Sequence, residues 1–333
     1  MDDTFEAASR LVAVDTKMTG RYRVTSAYLV QAAEPALIET GPTTSADAVT
    51  AALERIGLKA DDLAHIVVTH IHLDHAGGAG TIAERFPTAT VWVHERGARH
   101  LADPARLWSS AAQVYGGEDR LLEMFGPMGP IDPDRIHAVV GGDRIELGDR
   151  SLDVMYTPGH ASHHVSLVDS ESGALFTGDA LGIHFPDVRV LRPATPPPDI
   201  DVELAVDSIE RINARAESAL MFSHFGPVRQ VDELCAIAAD RIRTWAGIVR
   251  DAMAETDDLD RIAEILATRT ASDFEDAGAS ADAPTITASA LALGGMGALS
   301  ASSARGTAFS GLPRARYESA MMWFSSCRPV IRR

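Results

Sequence analysis

Thr69-His70-Ile71-His72-Leu73-Asp74-His75-Ala76-Gly77-Gly78-Ala79-Gly80 is the stretch that decides how this chain folds. It follows Ile66-Val67-Val68, a short β-branched run of the kind found in buried strands, and it runs into a glycine-rich helix start. Neutral imidazoles and carboxylates are the ligands that suit zinc, iron or manganese. His70, His72, Asp74 and His75 lie on a loop leaving a sheet, so they can face one small volume. Without a cation, three histidines so close would each need solvent or a separate hydrogen bond. Gly77, Gly78 and Gly80 look like a phosphate loop only superficially, and close packing behind the loop accounts for them better.

Outward from this loop the chain alternates strands and helices. Tyr22 to Val30 and Ala36 to Thr40 read as strands, Ser45 to Leu58 has helical spacing, and Ala89 to His94 is the next strand. Strand, loop, helix and strand in succession imply an α/β layered domain. Between about His100 and Arg135 the pattern loosens around Trp108, Tyr115, Met124, Phe125 and Met128, which suits either a pocket-forming insertion or packed surface helices. Strands resume at Ile136–Val140, Arg144–Leu147, Ser151–Tyr156, Val165–Asp169 and Ala174–Thr177, with Ser170-Glu171-Ser172-Gly173 as a hairpin turn. A helix over Asp201–Arg215, a strand over Ala219–Phe222 and a helical stretch over Val231–Arg269 follow.

Three later strand exits carry further candidate ligands. Thr157-Pro158-Gly159-His160 projects a histidine, Thr177-Gly178-Asp179 a carboxylate, and Ser223-His224 another histidine. Any one alone reads more readily as a hydrogen-bonded structural residue. Their coincidence with the first motif makes seven candidates: His70, His72, Asp74, His75, His160, Asp179 and His224.

This constellation resembles the metallo-β-lactamase superfamily over roughly residues 22–228. The resemblance implies an α/β fold, an αββα sandwich with a helical insertion and C-terminal helices. It implies that His70, His72 and His160 hold a first metal, that Asp74, His75 and His224 hold a second, and that Asp179 bridges them. An aspartate at 179 and a histidine at 72 direct the match to the glyoxalase-II-like and lactonase-like hydrolases. The true β-lactamases of the superfamily have cysteine or serine at the first position, and the flavodiiron proteins have glutamate at the second. The cofactor expectation is two divalent ions, zinc foremost, with iron or manganese as alternatives.

The implied chemistry is hydrolysis of a small ester, lactone or thioester by a hydroxide that two cations generate near neutral pH. Asp74 is then a proton acceptor and orienter as well as a ligand. Persulfide dioxygenases share the pattern but use one iron on the positions of His70, His160 and Asp179, so a mononuclear-iron oxidoreductase is the alternative of another class. A phosphodiesterase or nuclease, or a promiscuous β-lactam hydrolase, is a further one. His164 is expected behind the ligands, and His184 and Tyr115 are candidates for the pocket or its support. A glutathione pocket is not expected, because residues 231–269 contain no lysine or tyrosine.

Composition bounds the partners. The chain has 333 residues, 30 Lys+Arg against 47 Asp+Glu, and a formal charge of −17, which disfavours nucleic acid and anionic membrane surfaces. The start lacks the basic and apolar regions of a signal peptide and no apolar run reaches membrane-spanning length, so a cytoplasmic enzyme with a small-molecule substrate is expected. Cys235 and Cys327 are too few for a disulfide framework. Relatives of this branch are commonly homodimers, which sets the oligomeric expectation. The expected division is a catalytic domain over residues 1–230, with 100–135 as its pocket insertion. Residues 231–270 form a helical segment packed on it, and 271–333 an Ala/Ser/Gly-rich tail. From Ser300 that tail carries six arginines against Glu318 alone, and it is expected to lie outside the enzyme body and pack loosely.

Overall fold

Apolar side chains on both faces of a strand require a layer on each side of the sheet, and this chain builds both. The computed structural model describes residues 3–271 apart from Val188 and residues 197–199, so the basic tail expected over 271–333 lies outside the described residues beyond Ala271. The first sheet runs in chain order: β1 (Thr4–Ala8), β2 (Leu11–Asp15), β3 (Ser26–Val30), β4 (Ala36–Ile38), β5 (His65–Val67), β6 (Thr90–His94) and β7 (Ile136–Val139). Its first four strands are antiparallel, while β4 to β7 are parallel and need crossovers. Those crossovers contain α1 (Ala46–Ile56), the short α2 (Leu73–Ala76) with α3 (Ala79–Arg85), and then α4 (Glu95–Ala102), α5 (Ala105–Tyr115) and α6 (Glu118–Phe125).

The second sheet is ordered β15-β14-β11-β10-β9-β8. Its strands are β8 (Arg144–Glu146), β9 (Ser151–Tyr156), β10 (Val165–Asp169), β11 (Leu175–Gly178), β14 (Leu220–Phe222) and β15 (Gly226–Val228). A small ribbon, β12 (Ile183–Phe185) with β13 (Val190–Arg192), leaves it. Helix α7 (Val202–Arg215) makes the crossover that leaves β11 and β14 parallel.

Period-two alternation divides the core. Along β3, Tyr28 and Val30 face the second sheet, where they meet Leu152, Val154, Leu167 and Phe176, while Ala27 and Leu29 face the helices of the first sheet with Val49, Leu53 and Ile82. The outer face of the second sheet packs Val168, Leu175, Leu220 and Phe222 against α7 and α8 (Val231–Glu255). The result is the αββα sandwich that the resemblance implied.

One local reading changes, and one left open is filled in. The helical stretch 231–269 is two helices, because Thr256 is extended at φ −155° and α9 (Leu259–Arg269) starts afresh. Thr256 Oγ1 accepts from the Asp258 amide at 3.1 Å, and Asp258 Oδ1 accepts from the Arg261 amide at 3.2 Å, a capping arrangement that stops one helix and opens the next. The loosened stretch 100–135 is helical, interrupted at Pro104 and at Gly116-Gly117. Leu101, Ala112, Leu121 and Phe125 are buried against the first sheet. The turn at 170–173 forms as read: Asp169 accepts from the Ser172 amide at 2.7 Å and its hydroxyl at 2.5 Å, and Gly173 takes φ +66°. No helix among the described residues is long and apolar enough to cross a membrane.

Candidate metal centre

The parallel strands of the first sheet end at one edge, and the chain between β5 and α2 turns there. Thr69, His70, His75 and Ile71 are buried, and Asp74 nearly so. His72 is extended at ψ 151° and precedes α2, whose single turn brings Asp74 and His75 beneath it. The glycines that follow are required by packing, as expected: a Cβ on Gly80 would lie 2.5 Å from the Gly129 carbonyl oxygen, and one on Gly77 would strike that of Leu73. The second sheet contributes from the same edge. His160 leaves β9, Asp179 follows β11, and His224 follows β14.

Each of the five histidines exposes one ring nitrogen to a common centre, and four of them tie back the other. His70 Nδ1 donates to Thr69 Oγ1 at 2.9 Å, His160 Nδ1 to the Ala194 carbonyl at 2.9 Å, and His224 Nδ1 to the Val24 carbonyl at 3.0 Å. His75 Nδ1 lies 3.3 Å from Glu39 Oε1. The inward nitrogens fall into two groups. His70, His72 and His160 bring ligand atoms within 4.8 Å of one another, and so do Asp74, His75 and His224. His72 Nδ1 and His160 Nε2 are 2.9 Å apart. Asp179 stands between the groups: Oδ2 is 3.5 Å from His160 Nε2, while Oδ1 is 3.3 Å from His75 Nε2 and 3.6 Å from His224 Nε2. Asp74 Oδ2 lies 3.3 Å from His224 Nε2 and 3.6 Å from His75 Nε2.

This donor set fits divalent cations. His70 Nε2, His75 Nε2 and Asp179 Oδ1 are buried and make no hydrogen bond, which is costly unless a cation receives them. Burial and the neighbouring imidazoles hold His70 and His72 well below the ordinary histidine range, so both offer lone pairs. Burial opposes charge on Asp179 and Asp74, yet His75 and His224 hold both carboxyls below the usual range. His75 is the counterpart: burial disfavours its charge, but Asp179, Asp74 and Glu39 raise it well above normal.

Behind the ligands stands a layer only partly expected. His164 lies there: its Nε2 accepts from the Asp179 amide at 3.0 Å, and its Nδ1 lies 2.8 Å from Thr157 Oγ1. Glu39 is the residue that sequence reasoning missed. It follows β4, where its amide donates to Val67 O at 2.9 Å, so the β4–β5 pairing carries it beside Thr69. Its carboxylate accepts from Thr69 Oγ1 at 2.5 Å and Ser223 Oγ at 3.1 Å, besides facing His75. Glu39 also lies close enough to His70 and His75 to be counted among metal-capable groups. Since it accepts hydroxyls and approaches His75 through the nitrogen turned away from the centre, its geometry is that of a support. The signal for it was an acid in an otherwise apolar strand end, Leu37-Ile38-Glu39-Thr40.

His184 is not part of the pocket lining. Its Nδ1 donates to the Phe225 carbonyl at 3.2 Å and its ring lies against Phe222, so it braces the chain next to His224. Tyr115 does line the pocket, a cleft of about 400 Å³ whose floor includes His72, Asp74, His160, Asp179 and His224. Burial, Asp74 and Asp179 raise its phenol pKa, so the hydroxyl keeps its proton. His163 also lines the cleft; burial and neighbouring histidines push its pKa down to about 3.

Fold, ligand geometry and sequence agree on the class. A sequence model of the metallo-beta-lactamase superfamily matches residues 20–224, and the chain belongs to that superfamily. It is 30% identical over 177 residues to the metallo-beta-lactamase fold-containing protein ST1585 of Sulfurisphaera tokodaii, which covers 50% of this chain and 62% of that protein. The crystal structure of that archaeal protein superposes with a TM-score of 0.55 at 28% identity, over 67% of this chain and 80% of the other. An acyl-coenzyme A thioesterase, MBLAC2, of Gallus gallus is 35% identical over 120 residues, 34% of this chain and 40% of that protein. A hydroxyacylglutathione hydrolase of Cyanothece is 29% identical over 133 residues, 39% of this chain and 40% of that protein. The chain therefore spans about three-fifths of the first relative and two-fifths of the other two.

Proposed function

We propose that this protein is a binuclear metallohydrolase that cleaves a small ester, lactone or thioester. The observation that carries the reading is Asp179, whose two oxygens face different histidine groups from a position between them. In this reading His70, His72 and His160 would hold one cation and Asp74, His75 and His224 the other, with Asp179 available to both. When bound, such ions supply Lewis acidity and lower the pKa of water to about 7.

The chain's own residues do the rest. The backbone carbonyls of Ala194 and Val24 fix the tautomers of His160 and His224, leaving Nε2 of each free. His164 positions Asp179 through its amide, and Glu39 orients His75 and, through Thr69, His70. Asp74, whose Oδ2 faces His75 and His224, would accept on its other oxygen the proton that the attacking water loses as it bonds to the substrate carbonyl carbon. Tyr115 presents a protonated hydroxyl to the cleft and can hydrogen-bond a substrate oxygen. The acyl-coenzyme A thioesterase and hydroxyacylglutathione hydrolase among the relatives support thioesters as the first bond type to try.

The test combines metal analysis with a panel of lactone, ester, thioester, phosphoester and β-lactam substrates. About two divalent ions per chain and turnover of a carbonyl ester or thioester are expected. His72→Ala and Asp179→Ala should lose that turnover while keeping the far-UV circular dichroism of the parent. One iron per chain with thiol-dependent oxygen uptake would replace this reading with the oxidoreductase one.

A further inference from the structure

Apart from Asp74 and Asp179, the ionisable groups lining the cleft are histidines, Tyr115 and two arginines, in a chain of net charge −17. Arg96 and His100 lie four residues apart on α4, on one helix face, and Arg106 lies in the first turn of α5. All three line the cleft, as does the apolar row Leu107, Ala111 and Val114 of α5. Arg99 and Arg106 lie near enough to His100 to add to the effect of burial in lowering its pKa, so these cations share one neighbourhood.

Several arginines elsewhere on this protein are committed. Arg10, Arg23, Arg55, Arg85, Arg144, Arg150, Arg215 and Arg261 each pair with a carboxylate within 4 Å. Arg96 and Arg106 are among the arginines of the described residues without such a partner, and they are the two that line the cleft. Arg96 has only a long contact, 3.5 Å, to the Ser162 carbonyl, and its guanidinium lies 6.0 Å from the Tyr156 ring. The nearby acids are Glu95 and Asp103, the second of which acts on His100. Helix stability does not explain the placement either. A cation in a first helical turn faces the positive end of the helix dipole, and α5 has no acid there to offset Arg106.

We propose that Arg96 and Arg106, with His100 beside them, form an anion-binding subsite that selects substrates bearing a carboxylate or phosphate outside the bond being cleaved. The apolar row on α5 then receives the hydrocarbon part, and the anion is held at the cleft wall away from Asp74 and Asp179. Guanidinium groups suit both oxyanions, since each can take paired N–H donors. This substrate class rests on the hydrolase reading above, but the subsite itself is a binding property.

The test therefore uses non-hydrolysable thioethers with one common alkyl group. The probes are an S-alkyl coenzyme A, an S-alkyl 3-mercaptopropionate and an S-alkyl N-acetylcysteamine, which are phosphate-bearing, carboxylate-bearing and neutral. Each is titrated calorimetrically into the metal-loaded full chain and into its Arg96→Gln/Arg106→Gln variant. At least one anionic probe should bind tenfold or more tighter than the neutral one, with a preference that weakens as salt rises. That ratio should fall at least tenfold in the variant, and whichever anionic probe leads identifies phosphate or carboxylate. Equal affinity for all three probes in the parent chain, or a preference that survives in the variant, overturns the proposal. Anion-selective, arginine-dependent binding by a chain that turns over none of the lactones, esters or thioesters of the panel would uphold the subsite and overturn the hydrolase reading alone.

Discussion

Replacing Glu39 by Gln tests whether the layer behind the ligands sets metal affinity. The substitution keeps shape and volume, so no cavity forms, and it changes only charge and hydrogen-bond polarity. Every polar contact of the carboxylate is with a donor: Thr69 Oγ1 at 2.5 Å, Ser223 Oγ at 3.1 Å and His75 Nδ1 at 3.3 Å on Oε1, and the Thr69 amide at 3.4 Å on Oε2. A glutamine must turn its NH2 towards one of these groups. The less damaging choice places it at the Oε2 position, against the Thr69 amide, and leaves a neutral oxygen for the other three. His75 then loses the charge that fixes its Nδ1 proton, and Thr69 loses part of its hold on His70. Supporting contacts of this type are worth about 10–100-fold in metal affinity, or about 1.4–2.7 kcal/mol. Competition of the protein with a chromophoric chelator of known zinc affinity measures this directly, for Glu39→Gln against the parent chain. An affinity unchanged within twofold would refute the argument, since Glu39 would then be buried beside the centre without orienting it.

Other expectations concern the frame. Gly159→Ala should destabilise by about 2–3 kcal/mol, because φ is +130° and the new Cβ would strike the backbone of Ala205 on α7; a thermal midpoint within 2 °C of the parent would contradict this. Arg150→Met strands the fully buried carboxylate of Asp169, which Arg150 pairs through Nε at 2.8 Å, and should cost about 3–5 kcal/mol in urea unfolding. Burial and Asp232 push the Cys235 thiol up to about 12. In a Cys327→Ser background it should resist Ellman's reagent at pH 8 until the chain is denatured. The folded state keeps that proton where the unfolded state loses it, so this group's contribution to stability falls as pH rises above about 9 and is exhausted above about 12.

Much of this arrangement was readable because the ligands sit where strands end, a place that sequence marks well. His70 to His75 are close in the chain, and Pro158-Gly159, Gly178 and Gly226 punctuate the exits that carry His160, Asp179 and His224. Glu39 was illegible for the opposite reason. Its meaning depends on β4 lying parallel beside β5, a pairing between segments nearly thirty residues apart, and a lone acid after Ile38 does not announce that neighbour. The break at Thr256 was legible in principle. Thr256-Asp257-Asp258 offers capping side chains, but the apolar spacing continues through it and masks the stop. Tyr115 and Arg106 became interpretable only when α5 was seen to line the cleft over the ligands.

The wall of the cleft and its floor are separate inheritances. Arg96, His100, Arg106, Leu107, Ser110, Ala111, Val114 and Tyr115 all come from one continuous stretch, α4 to α5, between two neighbouring parallel strands. None of the seven candidate metal ligands lies in it. A cassette of this kind can be exchanged between β6 and β7 without touching the chemistry below, much as a lock's wards can be recut while its bolt stays in place. For this protein, transplanting residues 95–125 from a relative should carry substrate preference with it and leave metal binding behind.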